Sequence, residues 1–258
     1  MDATIALFTF GITVVALVAL GCPVQGKVDR DGPAEGAHPR DARPHPRPGA
    51  GSRNPPIKIL LLAANPRDTE RLRLDEEARA IRERLRTSPY GERFVIEQEW
   101  AVRASDLQAH LLRHQPHIVH ISGHGSPIGE TVLGTQSGQS TAVSSAALKR
   151  LFAALKGDIR CVVLNACFSE VQARAIVEVI GCVVGMGAAI TDEAAISFAA
   201  GFYQALGFGR DIRTAFELGC GEIGLENLKG EDTPKLIMAH GAVESTLFGA
   251  RSVGAHSL

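Results

Sequence analysis

The sequence predicts an α/β domain, a mainly parallel sheet with helices on both faces, preceded by an N-terminal transmembrane helix and a disordered linker. Three observations predict it. Short apolar, β-branched runs alternate with charged segments of helical period from Ile57 to Met238, which is the pattern of a sheet whose parallel strands are joined by crossover helices. From Ala3 to Cys22 no side chain is charged. Residues 23–56 hold eight of the 13 prolines and, beyond alanine, only two aliphatic side chains, Val24 and Val28.

These shifts in composition divide the chain into four parts: a transmembrane or signal-anchor segment over 1–22, a Pro-rich linker over 23–56, a globular domain over 57–240 and a flexible tail over 241–258. At 1.5 Å per residue the apolar segment just spans a bilayer core of roughly 30 Å. A secretory signal carries Lys or Arg ahead of its apolar run, whereas here Asp2 stands there and the first basic residues, Lys27 and Arg30, follow. Positive charge downstream favours a single-pass anchor with the C-terminal domain in the cytoplasm. Leu20-Gly21-Cys22 at the end of the run also admits a lipoprotein or secreted reading, although Ala19 stands one place out of register for it. The linker has too little apolar surface to bury a core and reads as a solvated tether.

The domain opens with Ile57 to Ala63, an apolar run that stops at Asn65-Pro66 and reads as a buried strand. Leu74, Ala78, Ile81 and Leu85 then recur at spacings of four and three, so the charge run from Glu70 to Arg86 reads as the solvated surface of a helix. The alternation continues with strand Phe94 to Glu97, helix Ser105 to Arg113, strand His117 to Ile121 and helix Ser144 to Leu155. Strand Cys161 to Leu164, helix Glu170 to Val179 and strand Cys182 to Val184 follow. Helices Asp192 to Leu206 and Ile212 to Cys220 and a strand Lys235 to Met238 complete it.

Lys and Arg number 27 against 28 Asp and Glu, a formal net charge of -1. No general basic field exists to hold phosphates, so no nucleic-acid partner is expected. Cys22, Cys161, Cys167, Cys182 and Cys220 are odd in number and contain no C-x-x-C pair, which argues against a disulfide framework or a zinc ribbon.

In an open parallel sheet, ligand-facing residues lie just past the carboxyl ends of the strands. Two turns of small residues meet that condition: Ser122-Gly123-His124-Gly125-Ser126 and Asn165-Ala166-Cys167-Phe168-Ser169. A cysteine nucleophile needs an imidazole to take its proton, and an attacked carbonyl needs backbone N–H groups aimed at its oxyanion. His124 and Cys167 supply the first pair, and Gly125 and Cys167 have N–H groups for the second.

Three stretches resemble, in order, the CHAT-type caspase-like cysteine peptidases, a family related in fold to caspases, metacaspases, gingipains and separase. They are Pro116 to Gly125, Val162 to Ser169 and Phe198 to Leu206, and the resemblance covers roughly Ile57 to Cys220. It implies a caspase-like fold and a cysteine-type endopeptidase, a hydrolase with His124 as general base and acid and Cys167 as nucleophile. The N–H groups of Gly125 and Cys167 form the implied oxyanion hole. Phe168 departs from the family, which more often has a polar residue there. Thr191-Asp192 stands where the separase branch places an acidic residue for a basic P1 side chain, so Asp192 becomes a substrate-binding candidate, while either residue also suits a helix cap. The implied partners are a protein or peptide substrate and an unnamed sensor or activator protein, with a role in signalling or defence, and the membrane through residues 3–22.

Other features read as structural. Cys161 and Cys182 follow core positions, and His120 sits within a strand where a core hydrogen bond suits it. The run His114, His117, His120, His124 imitates a metal cluster, but spacing by three along a strand sends neighbours to opposite faces, so no metal ligand and no cofactor are assigned. Gly185-Met186-Gly187 lacks the third glycine and the acidic partner of a dinucleotide fingerprint. The alternative to an enzyme is a non-catalytic membrane-tethered signalling or scaffold module on the same fold; a nucleotide-binding doubly wound domain is the third reading.

Overall fold

The computed structural model describes residues 55–241. The proposed anchor at 1–22, the linker up to Asn54 and the tail beyond Gly241 lie outside the described residues. Among the described residues no helix is long and apolar enough to cross a membrane.

The chain runs β1 (Ile57–Ala63), α1 (Leu74–Arg86), β2 (Phe94–Trp100), α2 (Leu107–His114), β3 (Ile118–Ser122), β4 (His124–Gly125), β5 (Thr131–Gly134), β6 (Ser140–Val143), α3 (Ser145–Leu155), β7 (Cys161–Asn165), α4 (Glu170–Ile176), β8 (Cys182–Met186), α5 (Asp192–Gly207), α6 (Ile212–Leu225) and β9 (Pro234–Met238). Six strands form one sheet in the order β2-β1-β3-β7-β8-β9. All of its pairings are parallel except β8 with β9. The first crossover leaves β1 toward β2 and the next returns to the other side of β1 at β3, so the chain reverses direction between β1 and β3.

Alternation along the strands feeds two cores. Ile57, Ile59 and Leu61 of β1 face a layer with Ile81 of α1 and Phe198, Phe202 and Tyr203 of α5. Leu60 and Leu62 face the opposite layer with Leu111 of α2, Phe152 of α3 and Ile176 of α4. A strand buried on both faces loses the polar half of its pattern, which is why β1 reads as an unbroken apolar run from Ile59 to Ala63, after Lys58. Ser144 caps α3 by accepting the Ala147 N–H, and Asp211 caps α6 by accepting the Thr214 N–H at 2.9 Å.

Several expectations need correction. A second, three-stranded antiparallel sheet, β4-β5-β6, follows the first turn motif; its strands of two to four residues are too short to print a period. The strand expected to end at Glu97 runs on to Trp100 because β2 is an edge strand, where charged side chains reach solvent. The helix expected from Ser105 begins at Leu107 after a single 3₁₀ turn over Ala104–Asp106. The helix expected to reach Val179 ends at Ile176, where the Val179 N–H bonds to the Ile176 carbonyl three residues back, a tighter turn that leads toward β8.

The charge run over α1 is only partly a solvated surface, because Glu77 is 4% exposed. Its carboxylate accepts from His120 Nε2 at 2.9 Å and from the Asn165 side-chain amide, while His120 Nδ1 lies 3.0 Å from the Tyr203 hydroxyl. One carboxylate thereby ties α1 to β3, β7 and, through Tyr203, α5. Burial by itself raises the Glu77 carboxyl, but attraction to His120 and hydrogen bonds from His120, Ser122 and Asn165 outweigh it and hold the group below its ordinary value. A carboxyl depressed in the folded state contributes stability above its unfolded pKa, and that stability is lost as pH falls through the folded value.

Two outcomes follow for denaturant unfolding. Glu77→Ala, which strands a buried imidazole, should cost about 3–5 kcal/mol. Glu77→Gln should flatten the loss of stability on acidification below the ordinary carboxylate range. An unfolding midpoint unchanged in Glu77→Ala would remove the network from its place in the fold.

Candidate active site

Two strand ends build the site. β3 and β7 pair in register, with Ser122 beside Asn165, so the turns that follow them start level with each other. The Gly123 N–H reaches back to the Asn165 carbonyl at 3.4 Å, linking the turns before either presents its side chain. His124 and Cys167 then line one small cleft of about 40 Å³, together with Arg73, Asn165, Thr191 and Asp192.

His124 Nε2 lies 2.6 Å from the Glu70 carbonyl oxygen. A carbonyl only accepts, so Nε2 carries the hydrogen, and the neutral ring keeps its lone pair at Nδ1. The backbone between β1 and α1 thus fixes the tautomer and the ring plane of the candidate base. Cys167 Sγ accepts the Ile190 N–H at 3.4 Å and lies 3.6 Å from the Ile190 carbonyl. That N–H faces the sulfur where a thiolate would carry its charge.

The backbone donors follow from strand alternation. Ser126 N–H donates to the Glu130 carbonyl at 2.8 Å, so the adjacent pair Gly125 and Thr131 is the non-hydrogen-bonded one and the Gly125 N–H turns away from β5. Thr131 obeys the same rule, sending its own N–H to Gln172 instead. Among the described residues the Cys167 N–H has no acceptor. Glycine is required at 125, because a Cβ there would stand 1.7 Å from the Cys167 carbonyl oxygen and 2.9 Å from its nitrogen. The two motifs touch backbone to backbone.

Phe168 lies in the left-handed region, with φ of 59°. For a bulky residue this costs of order 1–3 kcal/mol and persists only where the surroundings enforce it. Here the Phe168 N–H is held by the Ala188 carbonyl at 3.2 Å. Buried Ser169 anchors the same turn, its hydroxyl donating to the Leu164 carbonyl and accepting the Met186 N–H. The sharp turn lifts Cys167 out of the strand end.

Thr191 caps α5, accepting the Ala194 N–H at 3.3 Å. Asp192, in the first turn, lines the cleft, and its Oδ2 accepts the Arg73 N–H at 2.9 Å and lies 3.7 Å from the Arg73 Nε. The Arg73 guanidinium also pairs with Glu76 and Glu193. The cleft carboxylate therefore already holds an arginine of its own chain.

The remaining candidates sit in the scaffold. Cys161 and Cys182 are buried with sulfurs 3.8 Å apart, and the bond to Cys182 and burial push the Cys161 thiol well up. Cys220 is pushed up to about 12, chiefly by burial. His117 Nδ1 accepts the Lys58 N–H at 2.9 Å, and burial lowers its pKa. Gly185 lies against α4, where a Cβ would meet the Ala173 Cβ at 2.8 Å, so that glycine serves helix packing.

Sequence reasoning passed over Glu70, Arg73, Glu77 and Ile190. Glu77 left a signal, since it falls three residues after Leu74 on the apolar stripe of α1. Glu70 and Ile190 act through main-chain atoms, which no residue type announces. Gly125→Ala should force the two turns apart and destabilise the domain by about 1–3 kcal/mol, the usual range for overpacking. Equal denaturation midpoints for the variant and wild type would contradict the backbone contact.

The chain is 29% identical over 165 residues to a Roc-COR-CHAT protease from an unknown prokaryotic organism, covering 60% of this chain and 15% of that protein. It is 24% identical over 178 residues to a probable protease of Gillisia limnaea, covering 67% of this chain and 32% of that protein. The chain thus spans less than a third of either relative's length. Similar solved structures include caspase-1 from Spodoptera frugiperda, with 13% identity, TM-score 0.47, and coverage of 70% of this chain and 85% of that one. The Drosophila initiator caspase Dronc is similar at 10% identity and TM-score 0.44, over 70% of this chain and 78% of its own. The CHAT domain family matches residues 37–217, which include both turns and the helix α5. This chain belongs to the CHAT domain family.

Proposed function

We propose that the protein is a cysteine endopeptidase in which His124 and Cys167 hydrolyse peptide bonds. The observation that carries this reading is the shared cleft: a tautomer-fixed imidazole and a turn-borne thiol at the level ends of two paired strands, with Gly125 backbone against the Cys167 peptide. His124 Nδ1 takes the thiol proton, and the Cys167 sulfur attacks the substrate carbonyl carbon. The Gly125 and Cys167 N–H groups receive the developing oxyanion. The imidazolium then protonates the leaving amine, and water activated by the same ring releases the acid and restores the thiol. The names of the two protease relatives support a protein or peptide substrate.

Specificity for a basic residue before the scissile bond rests on Asp192. A substrate arginine would displace the Arg73 guanidinium and take the same carboxylate, whose two oxygens suit its planar fork. The small volume of the cleft, about 40 Å³, gives the segment Glu70 to Arg73 a gating role, since it lies on both His124 and Asp192. That closure equally suits a non-catalytic scaffold module, and activity separates the two. Tethering through residues 3–22 with the domain in the cytoplasm, and activation by a sensor protein, complete the reading.

A peptide-library cleavage assay of the full chain tests it. Cys167→Ala should lose more than about 10⁴-fold in kcat/KM. Asp192→Ala should lose roughly 10–100-fold on arginine peptides, the worth of one charged hydrogen-bonded contact, with little change on neutral ones. Cleavage that survives in Cys167→Ala would refute the peptidase assignment, and an unchanged preference in Asp192→Ala would leave that residue in the α5 first turn alone.

A further inference from the structure

Away from the cleft, strand β2 and helix α2 bring together three side chains that sequence spacing keeps apart. His110 and His114 are one helical turn apart and share a face of α2, and Glu99 reaches them from β2. One ligand atom from each lies within 4.8 Å of the others. His114 Nε2 is 2.8 Å from Glu99 Oε1 and His110 Nδ1 is 3.2 Å from the same oxygen, with all three side chains at most a quarter exposed.

The geometry at His110 is what a hydrogen-bonded clamp alone leaves unexplained. Its Nδ1 is buried and, despite the nearby carboxylate, has no hydrogen-bond partner among the described residues. A buried ring nitrogen beside an anion but not bonded to it is free to act as a lone-pair donor. Around tetrahedral zinc, with Zn–N near 2.0–2.1 Å, neighbouring ligand atoms stand about 3.3 Å apart. The 3.2 Å separation at His110 matches that spacing, while His114 is hydrogen-bonded to Glu99 at 2.8 Å, a contact an ion would replace. The Glu97 carboxylate lies 4.0 Å from His114 Nδ1, a second negative charge beside the cluster. The Arg113 guanidinium, 3.6 Å from Glu99, is the cation that an ion would displace.

We propose that Glu99, His110 and His114 bind one divalent transition-metal ion of the zinc class, clamping the sheet's edge strand β2 to α2. Two imidazoles and a carboxylate suit zinc and its borderline neighbours rather than magnesium or calcium. His110 also lines a 480 Å³ cavity beside Trp100 and Arg103.

Cobalt(II) is the probe, titrated into the full chain and followed by its visible d–d bands, with zinc(II) as competitor. Wild type and Cys167→Ala should each bind one equivalent with the bands of tetrahedral nitrogen and oxygen ligation, displaced by zinc. His110→Ala and Glu99→Gln should weaken binding at least about 10–100-fold, which is the loss seen on removing even an outer-shell partner. Circular dichroism and thermal unfolding establish that the variants are folded, and zinc should raise the wild-type midpoint more than theirs. Absence of a saturable band, equal binding by the variants, or binding lost only in Cys167→Ala would each overturn the proposal.

Discussion

A single buried carboxylate organises this domain. Glu77 leaves solvent on α1 and is satisfied by His120 from the middle of β3 and by Asn165 at the carboxyl end of β7. A charge in that position is stabilising only when every partner is present, because its desolvation must be offset by bonds of good geometry. The network therefore sets the level of the two strand ends as well as the position of α1. Asn165 is the last residue of β7, two before Cys167, so the carboxylate that holds the fold also holds the base of the Cys167 turn.

The chemistry of the cleft follows from that alignment. Because β3 and β7 end together, Gly123 and Ala166 leave the sheet side by side, and the next residues carry the imidazole and the thiol. Contact between Gly125 and the Cys167 peptide is possible only without a side chain at 125. The left-handed Phe168 then redirects the chain toward α4, with Ser169 stitching the turn to β7 and β8. The segment from Glu70 to Arg73 lies across the result, fixing the His124 ring by one carbonyl and occupying Asp192 with a backbone N–H and a guanidinium. The same loop that orients the His124 ring thus also fills the acidic end of the cleft.

Much of this was legible in the sequence where side-chain pattern and position coincide. The run from Ile57 to Ala63 reads as a strand buried on both faces, and the glycine-flanked His124 and the turn around Cys167 fall past strand ends as an open parallel sheet requires. Thr191 was legible as a cap. What stayed hidden depends on partners far along the chain. Glu77 interrupts an apolar stripe, but only β3 and β7 explain how its charge is satisfied. The strands β4 to β6 are too short for a period. His110 and Glu99 are unremarkable until the order β2-β1-β3 brings α2 over the edge strand, and the histidine run that does catch the eye has its members bonded to four different groups.

Whether His124 acts on Cys167 is read most directly from the rate at which iodoacetamide alkylates Cys167 at neutral pH, by peptide mapping of the full chain. Base assistance of this kind is worth about 10²–10⁴-fold in favourable cases. The account predicts that Cys167 reacts ahead of Cys161, Cys182 and Cys220, and that His124→Ala slows its labelling by about a hundredfold while leaving the other cysteines unaffected. Equal Cys167 labelling rates in wild type and His124→Ala would contradict it.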